Sequence, residues 1–358
     1  MNNIVEQPLR ALIVEKLHPL VSDVDLNGRY PRDFLRELGL AGHYSSRETG
    51  PANRAHRNLW LIEEVAGACN STAFALWCHL TGLTYVQEGE SNYLKETLLN
   101  KLESGQVLCG TGLSNAMKFY AGLESLKLHA QRVAGGYQFS GILPYISNLA
   151  NDHWFGCVAE VDKQQRVAAF IPCDLPGLTL SERQGFMGLN GTATYHCRFV
   201  QAFVPDHYVI NHDADALVKR VQPGFILTQV GMGLGLSESI IKGIERLSKK
   251  TGHSNHYLPQ QAEPLRERLQ TIRIQAYRAA EFNNADGSSV REIMAIRLDS
   301  AYLALDAAQA AMLHIGGAAY LRQSAASRRL REAYFVALVT PTVKHLEKLL
   351  RAPESCLL

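Results

Sequence analysis

The apolar residues of this chain change their period twice along the sequence, and that double switch restricts the fold more than any single motif. From Pro8 to about Leu108 they recur at helical spacing, as where Leu59, Ile62, Val65 and Ala66 flank the polar pair Glu63-Glu64. Pro31 suits the first turn of a further helix, where its missing N–H leaves no acceptor unsatisfied. Between about Cys109 and His212 the texture is that of strands. Tyr137-Gln138-Phe139 follows a Gly135-Gly136 turn, Trp154 to Val158 is apolar, and Cys197-Arg198-Phe199-Val200 alternates loosely before Pro205. After Ala214 the helical period returns and holds through Leu350, and the Ala-rich span Ala301 to Ala311 lets helices approach closely. The expected fold is an α+β multi-domain chain: an all-α domain over 1–108, a β-barrel or sheet domain over 109–213, and a C-terminal four-helix bundle within 214–358.

Composition narrows the function classes. A chain of 358 residues, 46% hydrophobic, can bury sizeable cores. Its 36 basic and 34 acidic side chains leave a formal charge of +2, so no bulk electrostatic attraction to nucleic acid or an anionic membrane is expected. The start, Met1-Asn2-Asn3-Ile4-Val5-Glu6, has no basic region followed by an apolar one, and no run of about 18 apolar residues occurs, so the expectation is a cytoplasmic protein without a membrane span. Seven cysteines, at 69, 78, 109, 157, 173, 197 and 356, include no Cys-x-x-Cys pair and point to reduced thiols in place of a disulfide framework or zinc site.

Several local texts carry more. Tyr30-Pro31 is followed by Leu35, Leu38, Gly39 and Leu40; Thr111-Gly112-Leu113-Ser114 stands at the start of the strand region; Gly136 to Asn148 reads GYQFSGILPYISN. Gly188 to Thr194 and Phe199 to Pro205 come next, then Gly316-Gly317, Arg331-Glu332-Ala333 and Thr340. Within these, Tyr145 and Ser147 stand two apart, so an extended segment points both to one side. An aromatic wall beside a hydroxyl suits a flat ring with a polar edge, although a plain hairpin with a buried tyrosine has the same pattern.

Together these texts resemble the acyl-CoA dehydrogenase superfamily, from roughly Pro8 to Leu350, in an all-α, β, all-α order. The resemblance implies an FAD-dependent oxidoreductase that oxidises the α,β-bond of an acyl-CoA or acyl-carrier thioester, with an electron acceptor or O2 as second partner and a homodimer or homotetramer as assembly. Carried over residue by residue, it implies that Thr111, Leu113, Ser114, Tyr145, Ser147, Thr342, Lys344 and Lys250 contact the cofactor, and that Arg331 is a structural partner of a neighbouring acid. It also exposes a departure. The loop position of the family's catalytic glutamate holds Thr340, and the alternative position at the start of the Phe225 to Ser237 helix holds Phe225. A threonine hydroxyl cannot be tuned to remove an α-proton near neutral pH, so the base is unassigned. His345 and Glu347, just beyond, read as structural. Pro341 replaces a glycine and fixes φ, which stiffens the loop. At the implied pyrophosphate site an arginine is replaced by Lys249 or Lys250, and a glutamine before the paired glycines by Leu313. Lysine loses the bidentate fork and leucine the hydrogen bond, so weaker FAD binding is expected.

Three further features read as structural. Gly231-Met232-Gly233-Leu234-Gly235 lacks a full dinucleotide-loop spacing and points to close helix packing. His253 and His256 flank Ser254-Asn255 after Gly252 and read as solvated histidines in a surface loop, with no metal site expected. Arg328, Arg329 and Arg331 form a basic cluster that by itself decides nothing. The alternatives to a dehydrogenase are a flavin-dependent monooxygenase or oxidase of the same fold, and a catalytically retired acyl-binding member.

Overall fold

The computed structural model describes residues 3–45, 51–281 and 289–352, without the side chains of 3–6, 51–53 and 250–252. Helices α1 (Asn3–Leu12), α2 (Val21–Leu26), α3 (Arg32–Leu40), α4 (Pro51–Ala68), α5 (Asn70–Glu88), α6 (Asn92–Thr97) and α7 (Leu99–Glu103) come first. Strand β1 (Cys109–Thr111) and helix α8 (Ser114–Tyr120) lead into β2 (Leu128–Val133), β3 (Gly136–Ile146), β4 (Trp154–Glu160), β5 (Arg166–Pro172), β6 (Leu178–Glu182), β7 (Tyr195–Pro205) and β8 (Val209–Asn211). Helices α9 (Ala214–Asn255), α10 (Ala262–Glu281), α11 (Val290–Ile315), α12 (Ala325–Leu338) and α13 (Val343–Arg351) complete the chain. The expected order of helices, sheet and helices is the one observed.

The eight strands form one sheet in the order β6-β7-β3-β2-β4-β5-β8, with β1 parallel to β4. The expected turn joins β2 to β3: Val133 pairs with Gly136, and Gly135 takes φ +77°, a conformation glycine adopts freely. One sheet face buries Leu128, Phe139, Phe155, Val167 and Phe199 as its own core. A second core is shared by the first and last helices, from Leu9 through Leu59, Leu227 and Leu303 to Leu349.

The glycine run in α9 explains how these helices meet. A Cβ on Gly235 would lie 2.0 Å from the Glu63 carbonyl oxygen of α4, one on Gly231 would lie 2.7 Å from that of Leu59, and one on Gly233 would lie 2.1 Å from Ser300 Oγ of α11. Glycine here brings backbones into contact, as in tightly crossed helices elsewhere. Between Ala214 and Lys249 α9 is also long and apolar enough to cross a membrane, but most of that apolar stretch is buried against neighbouring elements. Its apolar character serves the core.

Serine and threonine hydroxyls start three of the last helices: Ser289 accepts from Glu292 N at 3.2 Å, Ser324 from Ser327 N at 3.0 Å, and Thr342 from His345 N at 3.3 Å. The last of these sets where the 339–342 loop ends.

Candidate functional site

A cavity of about 400 Å³ opens where the end of β3, helix α8, the 186–194 segment and the α12–α13 connection converge. Ser114, Tyr145, Ser147, Thr340 and Thr342 all line it. One wall is a row of hydroxyls: Ser147 Oγ lies 2.6 Å from Thr194 Oγ1, which lies 2.9 Å from Thr192 Oγ1. The rim is apolar, and Tyr145, Met187 and Leu338 remain 61%, 62% and 64% exposed there. Tyr145 meets Phe186 edge-on with ring centroids 6.3 Å apart. Exposed aromatic and aliphatic surface beside inward hydroxyls is the arrangement a flat heteroaromatic ligand requires.

Charge enters from α8 and the turn after it. Glu124 accepts from Asn115 Nδ2 at 2.8 Å and lies 3.6 Å from Lys118 and 3.8 Å from Lys127. It is the one carboxylate on this cavity's wall among the described residues. Arg331, also on the wall, is tied to Asp25 of α2. Its neighbour Glu332 is buried, bonded by Arg328 and by the Asn70 N–H, and burial raises its carboxyl above the ordinary range.

Neither of the two positions from which a glutamate base is expected carries a carboxylate. Thr340 lies on the wall, 8% exposed, and its carbonyl accepts from Gln229 Nε2 at 2.9 Å. Gln229 Oε1 in turn accepts from Arg297 Nε at 3.0 Å. Phe225 is buried edge-on against Trp77 at 4.8 Å, and Trp77 stacks on Phe74, another wall residue. Beyond Thr340, burial and the nearby Lys118 and Lys348 lower the His345 imidazole to about 4, so it stays neutral. Glu347 bonds Tyr302 and Arg351 on the surface.

Other residues named from the sequence lie elsewhere. Thr111 and Leu113 are buried but off the cavity wall, because the Thr111 hydroxyl turns to the Tyr85 hydroxyl at 2.6 Å and Leu113 packs into the helical core. Lys344 is exposed on the first turn of α13 and is not on the wall. Thr342 reaches the cavity with its hydroxyl engaged as the α13 cap. The Lys250 side chain lies outside the described residues; Lys249 is exposed on α9, and Leu313 is 61% exposed at the end of α11. His253 stands in the last turn of α9, where a loop was expected, because the helix runs through Gly252 to Asn255. Among the described residues no group of three or more His, Cys, Asp or Glu could hold a metal, and six cysteines are free and buried.

Lys118, Glu124 and Lys127 were missed from sequence. The signal was present, since Lys118 follows Ser114 by four residues and so shares its face of a helix. Gln229 and Arg297 left no such signal, being 68 residues apart on different helices.

Residues 3–106 match the family model described as the acyl-CoA dehydrogenase N-terminal domain. Benzylmalonyl-CoA dehydrogenase of Aromatoleum aromaticum is 24% identical over 63% of this chain and 62% of its own length, so the match spans less than two thirds of that relative. Cyclohex-1-ene-1-carbonyl-CoA dehydrogenase of Geobacter metallireducens is 21% identical over 93% of this chain and 92% of its own length. Among solved structures, a glutaryl-coenzyme A dehydrogenase in complex with glutaryl-CoA superposes with a TM-score of 0.88 at 16% identity, covering 100% of this chain and 96% of that one. By these matches residues 3–106 are an acyl-CoA dehydrogenase N-terminal domain, and the whole chain has the acyl-CoA dehydrogenase fold.

Proposed function

We propose that this protein is an FAD-dependent oxidoreductase that takes an acyl thioester in the cavity between β3, α8 and the 339–342 loop. The observation that carries this reading is the convergence of Ser114, Tyr145, Ser147, Thr340 and Thr342 on one wall from three separate parts of the chain. The ring end of a flavin fits the residues present: Tyr145, Met187 and Leu338 offer apolar surface, and Ser147 with Thr194 offers hydroxyls. The dinucleotide end fits less tightly, with an exposed Lys249 and an apolar Leu313 where stronger hydrogen bonding is expected. When bound, FAD would supply hydride acceptance from the acyl chain.

Removal of the α-proton then falls to a group other than Thr340 or Phe225. Glu124 is the candidate, as the carboxylate on the wall, with Lys118 and Lys127 beside it. The test is anaerobic addition of acyl-CoA thioesters to the FAD-loaded protein. Bleaching of the flavin band, lost in Glu124→Gln, supports the reading; a bleaching rate unchanged in Glu124→Gln removes Glu124 from it.

The aromatic residue at 225 favours a second reading, an oxidase or monooxygenase of the same fold in which no α-proton is removed. Its mark is oxygen-dependent product formation when a reductase supplies reduced flavin. A protein that binds acyl ligands without flavin would instead be a retired member.

A further inference from the structure

Behind Phe225 lies a second chamber of about 240 Å³, bounded by α4, α5 and α9. The ring wall Phe74–Trp77–Phe225 stands between it and the first cavity: Phe74 lines the first and Phe225 the second. One polar group facing this chamber is incompletely satisfied. Asn58, only 7% exposed, lines it, and its Oδ1 has no hydrogen-bond partner among the described residues. A buried acceptor without a donor forfeits its solvation with nothing in return, so such an atom marks a place where a donor belongs. Thr81, equally buried, lines the same chamber.

Cations frame the rest. Arg54 bonds the Glu88 carboxylate through Nη2 at 2.9 Å and also bonds Gln87; Arg220 donates through Nη1 to the Glu88 carbonyl at 2.9 Å. Two guanidiniums and one carboxylate leave an excess of one positive charge on the lining. A volume below the roughly 300–1,000 Å³ of drug-sized sites admits only a small molecule.

We infer that this chamber binds a small hydroxy-carboxylate, with its carboxylate against Arg54 and Arg220 and its hydroxyl donating to Asn58 Oδ1. A monoanion cancels the excess charge, and a neutral hydroxyl supplies the missing donor. A zwitterionic amino acid would supply a donor but leave the excess charge in place. The site is independent of flavin, so its test does not depend on the oxidoreductase reading.

Trp77 provides the readout, since its Nε1 donates at 3.1 Å to Thr228 Oγ1 on the chamber wall. Titrating the purified full chain with β-hydroxybutyrate, butyrate and β-aminobutyrate should give a saturable change in tryptophan emission with the first, and binding about tenfold weaker or more with the other two. The emission change should vanish in Trp77→Phe while calorimetry still detects binding. Asn58→Leu and Arg220→Ala should each weaken β-hydroxybutyrate by about tenfold; Arg220 is exposed, so its variant keeps the test open should Asn58→Leu fail to fold. Absence of saturable binding, equal affinity for butyrate, tighter binding of β-aminobutyrate, or unchanged affinity in Arg220→Ala would each overturn the inference.

Discussion

The side-chain amide of Gln229 donates to the main-chain carbonyl of Thr340 at 2.9 Å, across 111 residues of sequence. Through its other end it accepts from Arg297, a fully buried guanidinium that also donates to the Val336 carbonyl in the last turn of α12. Burial lowers the Arg297 pKa to about 10, and the carbonyl end of α12 supplies part of the compensating charge. One buried cation therefore holds the end of α12 and, through Gln229, the loop that carries Thr340.

Breaking that relay should cost stability. Gln229→Leu removes the bond to Thr340 and strips the fully buried Arg297 of its Nε acceptor, so a loss of about 2–3 kcal/mol is expected. Urea unfolding should show a lower midpoint with an unchanged slope.

Gly235→Ala should be more damaging than an ordinary glycine substitution. The added methyl meets the Glu63 carbonyl at 2.0 Å and the Gly67 nitrogen at 2.8 Å, both main-chain atoms that cannot rotate away. Separation of α4 from α9 should cost about 3 kcal/mol, at the upper end for overpacking, and thermal unfolding will measure it.

Acid stability should depend on Glu238. Burial alone would raise its carboxyl, but hydrogen bonds from Arg266 and Arg273, together with their charges, pull it down to about 2 from an ordinary 4.5. A depressed carboxyl stabilises the fold in full above the ordinary value, and that contribution is lost as pH falls from 4.5 towards 2. After allowance for partial exposure it amounts to about 2 kcal/mol. Glu238→Gln should be less stable than the parent at pH 7, with the gap narrowing through this window in denaturant titrations.

Retention of FAD should be incomplete. With an exposed Lys249 and an apolar Leu313 at the positions that the proposed reading gives to the dinucleotide end, flavin should be lost on gel filtration. The double substitution Lys249→Arg and Leu313→Gln should tighten binding by about tenfold, read by recovery of flavin absorbance after desalting.

Periodicity made the helix, sheet and helix order legible because burial on one face imposes it locally, as at Leu59, Ile62 and Val65 of α4. Ser114, Tyr145, Ser147, Thr340 and Thr342 were legible as chemistry, yet only the fold shows that one cavity collects them. Thr342 illustrates the limit: its place before Val343 marks a helix start, and that capping bond takes one lone pair of the hydroxyl expected to face a cofactor. Side chains that act through distant partners left no local trace. Arg297 with Gln229, and Phe225 with Trp77, meet only because α9 crosses α11 and α5.

Anaerobic addition of a panel of acyl-CoA thioesters to FAD-saturated protein, followed through the visible flavin band, tests the central claim most directly. Bleaching by at least one thioester is the predicted result, since the cavity beside Thr340 is read as the place where an acyl chain gives up hydride to flavin. A band that persists with every thioester would contradict it.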